Sequence, residues 1–226
     1  MDMSEPLRVD IVSDFSCPWC YIGKRRIESV LAAWKAEHPT EPEPVVRWLP
    51  FQLNPDLPAE GISRREHIER KHGAAGPNPE KQEYVSAVGR GVGLAFEFEK
   101  IAVQPNTLDA HRLSGCAGRE GRQDEMVEAL FRAHFMQGAS LCDPEALAHI
   151  AATAGFDYVQ AAAYLNSDTD RQAVERLEEQ VRSADVDVVP FFVFNGKVTV
   201  SGAHEPKVLL EAIEQATAPE DALALE

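Results

Sequence analysis

Cys17-Pro18-Trp19-Cys20 is the segment of this 226-residue chain whose residue types and spacing most directly suggest chemistry. On a helix, residues three apart share one face, so two thiols at that spacing are within reach of a disulfide. Thiol–disulfide exchange needs one thiolate to attack and a second thiol to resolve the mixed disulfide. The first cysteine follows a strand-like segment and is itself followed by proline, a residue suited to the first position of a helix. A thiol at that junction faces the unpaired N–H groups and the positive dipole end of the helix, both of which favour the thiolate. Cys17 is therefore expected to attack and Cys20 to resolve. Half of a zinc site and a pair of inert packing thiols are the other readings of the spacing. Zinc would need two more ligands, yet Cys116 and Cys142 stand alone and His67 and His72 are five apart, so no metal site is expected.

The elements that must position the pair follow from periodicity and punctuation. Residues 7–12 read as a strand, 18–37 as a helix opened by Pro18, and 45–49 as a second strand ended by Pro50. Two strands joined by such a helix form a βαβ unit with parallel strands. From residue 63 to about 184 the pattern is helical, in pieces near 63–72, 79–92, 107–120, 123–137, 144–154, 157–165 and 169–184, with Phe96-Glu97-Phe98 extended between the second and third. Asn106 and Asp143 are the expected N-caps of the third and fifth pieces. Strand character returns at 190–194 and 197–201 around Asn195-Gly196, a strong hairpin signal because both residues tolerate positive φ. A last helix spans 206–216. The order is βαβ…αββα: an α/β fold interrupted by a large all-helical insertion. The expected division is 1–52 with 169–217 as one discontinuous domain, 53–168 as the insertion, and 218–226 as a frayed tail.

Composition narrows the function classes. With 37 acidic against 22 basic residues the formal charge is −15, which opposes polyanions, so neither nucleic acid nor an anionic membrane surface is an expected partner. No apolar run approaches the roughly 18 residues of a spanning helix. The first six residues are polar and acidic rather than basic and apolar, so no secretory signal is expected and the reading is cytoplasmic. Four cysteines are too few for a stapled scaffold, leaving redox, metal or packing roles; Cys116 and Cys142 are expected to be packing thiols. Lys24-Arg25-Arg26 reads as a solvated charged face that could contact glutathione or an acidic substrate. Trp19, if it lies on an exposed loop between the cysteines, would serve as an aromatic platform for a thiol or peptide.

Asp14-Phe15-Ser16-Cys17-Pro18-Trp19-Cys20-Tyr21-Ile22-Gly23 resembles the active-site segment of the thioredoxin superfamily, and within it the DsbA-like oxidoreductases of the FrnE type. Similarity extends to Phe51-Gln52-Leu53-Asn54-Pro55, to Pro105-Asn106-Thr107 with His111, to Val189-Pro190-Phe191-Phe192 and to Ser201-Gly202-Ala203. The resemblance implies a thioredoxin-like fold, a redox-active disulfide with no bound cofactor, and a cis peptide between Val189 and Pro190 opposite the cysteines. Catalysis falls to Cys17 and Cys20, and substrate binding to Pro18, Trp19, Val189 and Pro190. Partners would be protein or low-molecular-weight thiols and disulfides, with glutathione a candidate co-substrate. Two positions depart from the pattern. Ile11 stands where thioredoxin and DsbA carry a buried acid six positions before the first cysteine, leaving Asp14 or Asp10 as substitutes, and Pro18-Trp19 replaces the Pro-His of DsbA. The alternatives are a kappa-class glutathione transferase or 2-hydroxychromene-2-carboxylate isomerase, whose relatives typically use serine where Cys17 stands, and a non-catalytic thioredoxin-like holdase or interaction module.

Overall fold

A computed structural model of the chain describes residues 5–73, 76 and 78–218. Its centre is β1 (Arg8–Ser13), flanked on both sides by other strands of a four-stranded sheet ordered β2-β1-β5-β6. The helix after it, α1 (Pro18–Glu37), crosses to β2 (Val45–Pro50), which pairs parallel with β1 from Arg8↔Val45 to Ser13↔Pro50. β5 (Phe191–Phe194) runs antiparallel to β1 on its other side, and β6 (Val198–Ser201) completes the sheet. Central placement explains why Val9, Ile11, Val12 and Ser13 are all buried.

The expected hairpin is present with a different register. Asn195 and Gly196 both have positive φ, but Phe194 pairs with Val198, so three residues rather than two separate the strands. The Lys197 N–H donates to the Phe194 carbonyl at 2.9 Å and closes the tight turn one residue before pairing starts.

Between β2 and β5 lie α2 (Arg64–His72), α3 (Pro79–Gly91), α4 (Leu108–Arg119), α5 (Gln123–Gln137), α6 (Pro144–Thr153), α7 (Tyr158–Leu165) and α8 (Arg171–Ser183); α9 (Pro206–Thr217) follows β6. The middle is not purely helical: β3 (Ile62–Ser63) and β4 (Val103–Gln104) form a two-stranded antiparallel sheet. Strands of two residues carry no readable period, which is why pattern alone misses them. Phe96-Glu97-Phe98 is likewise not a strand. Glu97 N–H donates to Phe135 O at 2.8 Å, a 3₁₀ turn occupies Phe98–Lys100, and the rings of Phe96 and Phe98 pack on Phe135 instead of on a neighbouring strand. Asp143 caps α6 through its carboxylate, as expected, accepting from Glu145 N–H at 3.1 Å. Asn106 lies one residue before the N-cap position of α4, Thr107, yet its side-chain oxygen still accepts from Leu108 N–H at 3.0 Å. Of the tail expected at 218–226, residues 219–226 lie outside the described residues.

One continuous apolar core runs from the sheet and α1 into α4, α5 and α6. Buried on α5 is the polar side chain of His134, whose Nδ1 meets the Ala139 carbonyl at 3.2 Å. Burial holds its pKa down at about 4, against 6.5 for free histidine. Between those two pH values the unfolded chain binds a proton that the folded one refuses. Stability is thus complete above about pH 6.5 and falls as the pH drops toward 4, by about 3 kcal/mol from this residue. Urea midpoints measured from pH 7 to 4 are expected to fall accordingly, and His134→Asn is expected to flatten that slope; a parallel slope in the variant would refute the assignment.

Candidate active site

The cysteine pair sits where β1 hands over to α1. Asp14, buried at this turn, ties it together: its carboxylate accepts from Ser16 N–H at 2.9 Å, from the Ser16 hydroxyl at 3.0 Å and from Leu53 N–H at 2.6 Å. Cys17 N–H donates to Asp14 O at 3.1 Å, and Cys17 occupies the N-cap of α1 with extended backbone. Its side chain makes no capping bond. Cys17 Sγ instead lies 3.7 Å from the Val189 carbonyl oxygen.

Cys20 is 0% exposed and Cys17 6%. All four cysteines are free thiols. Burial raises the Cys20 pKa well above that of an ordinary thiol, and Cys17 raises it further by hydrogen bonding and charge. The Ser13 hydroxyl and the Asp14 backbone pull the other way without offsetting burial. The two thiols are consequently unlike, one at the helix start and one sealed beneath it. A brief iodoacetamide pulse near pH 7, read by peptide mapping, is expected to label Cys17 at least about tenfold faster than Cys20; equal labelling would contradict the division of roles.

Across from the cysteines, the Val189–Pro190 peptide bond is cis, as the resemblance implied. Gly202 N–H donates to Pro190 O at 2.7 Å and fixes the loop to the end of β6. Gly23 on α1 makes the approach of this loop possible, since a Cβ there would lie 2.9 Å from Pro190 Cγ and 3.2 Å from Phe192 Cζ. Gly23→Ala is expected to cost about 1–3 kcal/mol through overpacking, despite alanine's better helix propensity. Thermal unfolding checks this, and an unchanged or raised Tm would refute it.

Pro18 and Trp19 belong to the first turn of α1, so Trp19 is not on a loop between the cysteines. It is half-buried, its ring 6.0 Å from that of Tyr84 on α3. Tyr84 is 63% exposed and gives this rim a second aromatic face that sequence reasoning missed. Its signal was present only as an aromatic residue on a polar helix.

Lys24-Arg25-Arg26 is neither a solvated face nor open to a ligand. Lys24 and Arg26 are buried. Lys24 Nζ meets Glu28, Asp124 and Glu128, while Arg25 bridges Glu28 at 2.8 Å and Glu128 at 2.5 Å. Arg26 donates to Ala203 O at 2.6 Å and to Glu205 at 2.5 Å. α1 therefore uses these cations to clamp α5 and the β6–α9 connection.

Of the two acids considered as substitutes at the Ile11 position, Asp10 is held by Arg47 in a bidentate pair at 2.8 and 2.9 Å. The Asp14 carboxylate is committed to the turn. His111 on α4 comes to the back of the site, its ring tilted against that of Phe15 at 4.8 Å between centroids, with Nε2 3.1 Å from Phe51 O. Cys142 Sγ donates to Glu60 O at 3.0 Å, and Cys116 lines a cavity of about 310 Å³ with Met126, Phe156 and Tyr164, so the two sit in separate surroundings. Among the described residues no cluster of three or more His, Cys, Asp or Glu side chains is arranged to hold a metal.

Comparison with known proteins is consistent over most of the chain. The family model of the DSBA-like thioredoxin domain matches residues 8–214. A probable DsbA oxidoreductase from Streptomyces coelicolor superposes with a TM-score of 0.82 at 29% identity, over 94% of this chain and 92% of that one. An uncharacterized protein of Bacillus subtilis, YwbO, is 23% identical over 92% of this chain and 96% of its own length. A 2-hydroxychromene-2-carboxylate isomerase shares the fold with a TM-score of 0.67 at 15% identity, over 96% of this chain and 99% of that one.

Proposed function

Because this chain belongs to the family of DSBA-like thioredoxin domains, we propose that it is a thiol–disulfide oxidoreductase acting through Cys17 and Cys20. The observation that carries this reading is the asymmetry of the pair: one thiol at a helix N-terminus beside the Val189 carbonyl, the other buried one turn below it. In the reducing direction the Cys17 thiolate attacks one sulfur of a substrate disulfide. The substrate S–S bond breaks, a mixed disulfide forms and the first substrate thiolate leaves. Cys20 then loses its proton and attacks Cys17 Sγ, releasing the second substrate thiolate and leaving a Cys17–Cys20 disulfide. Two electrons have passed from the dithiol to the substrate, and the reverse sequence oxidises a substrate dithiol.

Val189 and Pro190 supply the backbone against which an extended substrate lies, and Trp19 with Tyr84 an aromatic rim beside it. Protein clients fit this rim better than glutathione does, because the nearby cations of α1 are engaged in ion pairs rather than open to glutathione's carboxylates. The motif residues favour the FrnE type within the family, and four cysteines in a chain of 226 residues, too few for a stapled scaffold, suit a reducing cytosol.

Equilibration in glutathione buffers of stepped ratio, followed by acid quench and alkylation, tests the reading. The oxidised fraction is expected to follow a two-electron curve, about 30 mV per tenfold change. Insulin reduction is expected to vanish in both Cys17→Ser and Cys20→Ser. Failure of any disulfide to form, with retained glutathione-dependent isomerisation, would transfer the chain to the isomerase-like alternative. Failure of both would leave the interaction-module alternative.

A further inference from the structure

Resolution by Cys20 requires removing a proton from a thiol that is sealed from solvent and whose acidity burial has weakened. Neither nearby acid is free for the task. Asp10 is tied to Arg47, and Asp14 accepts three hydrogen bonds, two from Ser16 and one from Leu53 N–H after β2.

Another polar group does reach the thiol. Ser13, the last residue of β1, is 2% exposed, and its Oγ has no hydrogen-bond partner. An unpaired buried hydroxyl has given up its water without a partner in exchange, so it calls for an explanation. The hydroxyl lies beside Cys20 and favours its thiolate against the effect of burial. Ser13 also lines a cavity of about 50 Å³ shared with His111, Ser114 and Gln123. That volume has room for water, and these side chains offer the polar partners a buried water needs.

His111 is arranged to receive a proton there. Its Nε2 meets the Phe51 carbonyl at 3.1 Å, which fixes the N–H on Nε2 and leaves Nδ1 with a free lone pair. Burial keeps the ring neutral, while the carboxylates of Asp14, from the β1–α1 turn, and Glu178, from α8, would stabilise it once protonated. Glu178 is itself held by Gln52 and Arg182.

We propose that Ser13, a water in this cavity and Nδ1 of His111 form the path by which the Cys20 proton leaves during resolution, in place of the acid that Ile11 displaces. The Cys20 proton passes to the Ser13 oxygen as the Ser13 proton passes to water, and a water proton passes to Nδ1. The Cys20 thiolate attacks Cys17 Sγ, and the imidazolium later returns its proton to solvent. Ser13 and His111 are positioning residues for Cys20. The path rests on the dithiol reading above.

The test uses dithionitrobenzoate on the reduced full-length protein in a Cys116→Ser, Cys142→Ser background. The first thionitrobenzoate released reports attack by Cys17, and the second reports resolution by Cys20. Ser13→Ala is expected to slow the second release about tenfold or more near pH 7, leave the first unchanged, and converge with the parent above about pH 9, where hydroxide takes the proton directly. His111→Gln is expected to do the same, and the double variant to be no slower than either single one. An unchanged second release in a folded Ser13→Ala, or multiplying losses in the double variant, would overturn the path while leaving the dithiol reading intact. A parent protein that releases only one thionitrobenzoate would overturn both.

Discussion

A Cys20→Ser variant expressed in cells is expected to be recovered covalently bound to its partners, and a Cys17→Ser variant almost free of them. If Cys17 attacks a substrate disulfide, the mixed disulfide persists until a second thiol attacks Cys17 Sγ, and Cys20 is the thiol one helical turn away. Cys142 is engaged with Glu60 and Cys116 faces a cavity among the helices, so neither stands beside Cys17 to substitute. Resolution then falls to external thiols. The trapped fraction in Cys20→Ser is expected to exceed that in Cys17→Ser by about tenfold or more, on non-reducing gels and by mass spectrometry after dithiothreitol release. Proteins among the released partners would support client disulfide exchange, whereas glutathione alone would favour the transferase-like alternative. Equal trapping by the two variants would refute the nucleophile and resolver assignment.

Lys24→Met is expected to cost about 3 kcal/mol of stability, a larger loss than most single substitutions produce. The Lys24 side chain is 1% exposed, seven residues after Cys17 on the same helix, and gathers Glu28, Asp124 at 2.9 Å and Glu128 at 3.6 Å around one ammonium. Burial depresses its pKa, but Asp124 and Glu28 outweigh burial and raise it. Its contribution is therefore complete below the pKa of an unfolded lysine and is lost only as alkali strips the proton. Methionine fills similar volume without the charge, leaving Glu28 and Glu128 to Arg25 and Asp124 to the Trp48 indole N–H. The expected loss lies at the low end for a broken buried ion pair because Glu28 and Asp124 reach solvent. Glu128→Gln in the same chain is expected to restore about 1 kcal/mol, since it removes one of the mutually repelling charges. Urea unfolding of the four proteins of this cycle measures both effects, and a loss below about 1 kcal/mol in Lys24→Met would refute them.

The amino-acid sequence by itself determined whatever depends on local order along the chain. Proline after Cys17 opens α1 at Pro18, and the prolines after residue 38 help end it, so the helix bounds read from punctuation agree with the structure at Pro18–Glu37. Asn195-Gly196 marks the hairpin because both residues accept left-handed backbone. Among the described residues, the seven helices between β2 and β5 follow from periodicity and caps to within about two residues. The tertiary structure decided what depends on which side chains meet. The three cations after the cysteines read as a solvated face until α5 brings Asp124 and Glu128 onto Lys24 and Arg25, and the β6–α9 connection brings Glu205 onto Arg26, each about 100 positions or more away in sequence. Ser13 falls just past the strand read at 7–12, and only folding brings it to Cys20 and to the cavity that holds His111. Tyr84 acquires its place beside Trp19 in the same way. The physical reason is common to all three. Periodicity and capping report the conformation of adjacent residues, whereas burial, ion pairing and proton affinity depend on groups that only the packed chain brings within a few ångströms.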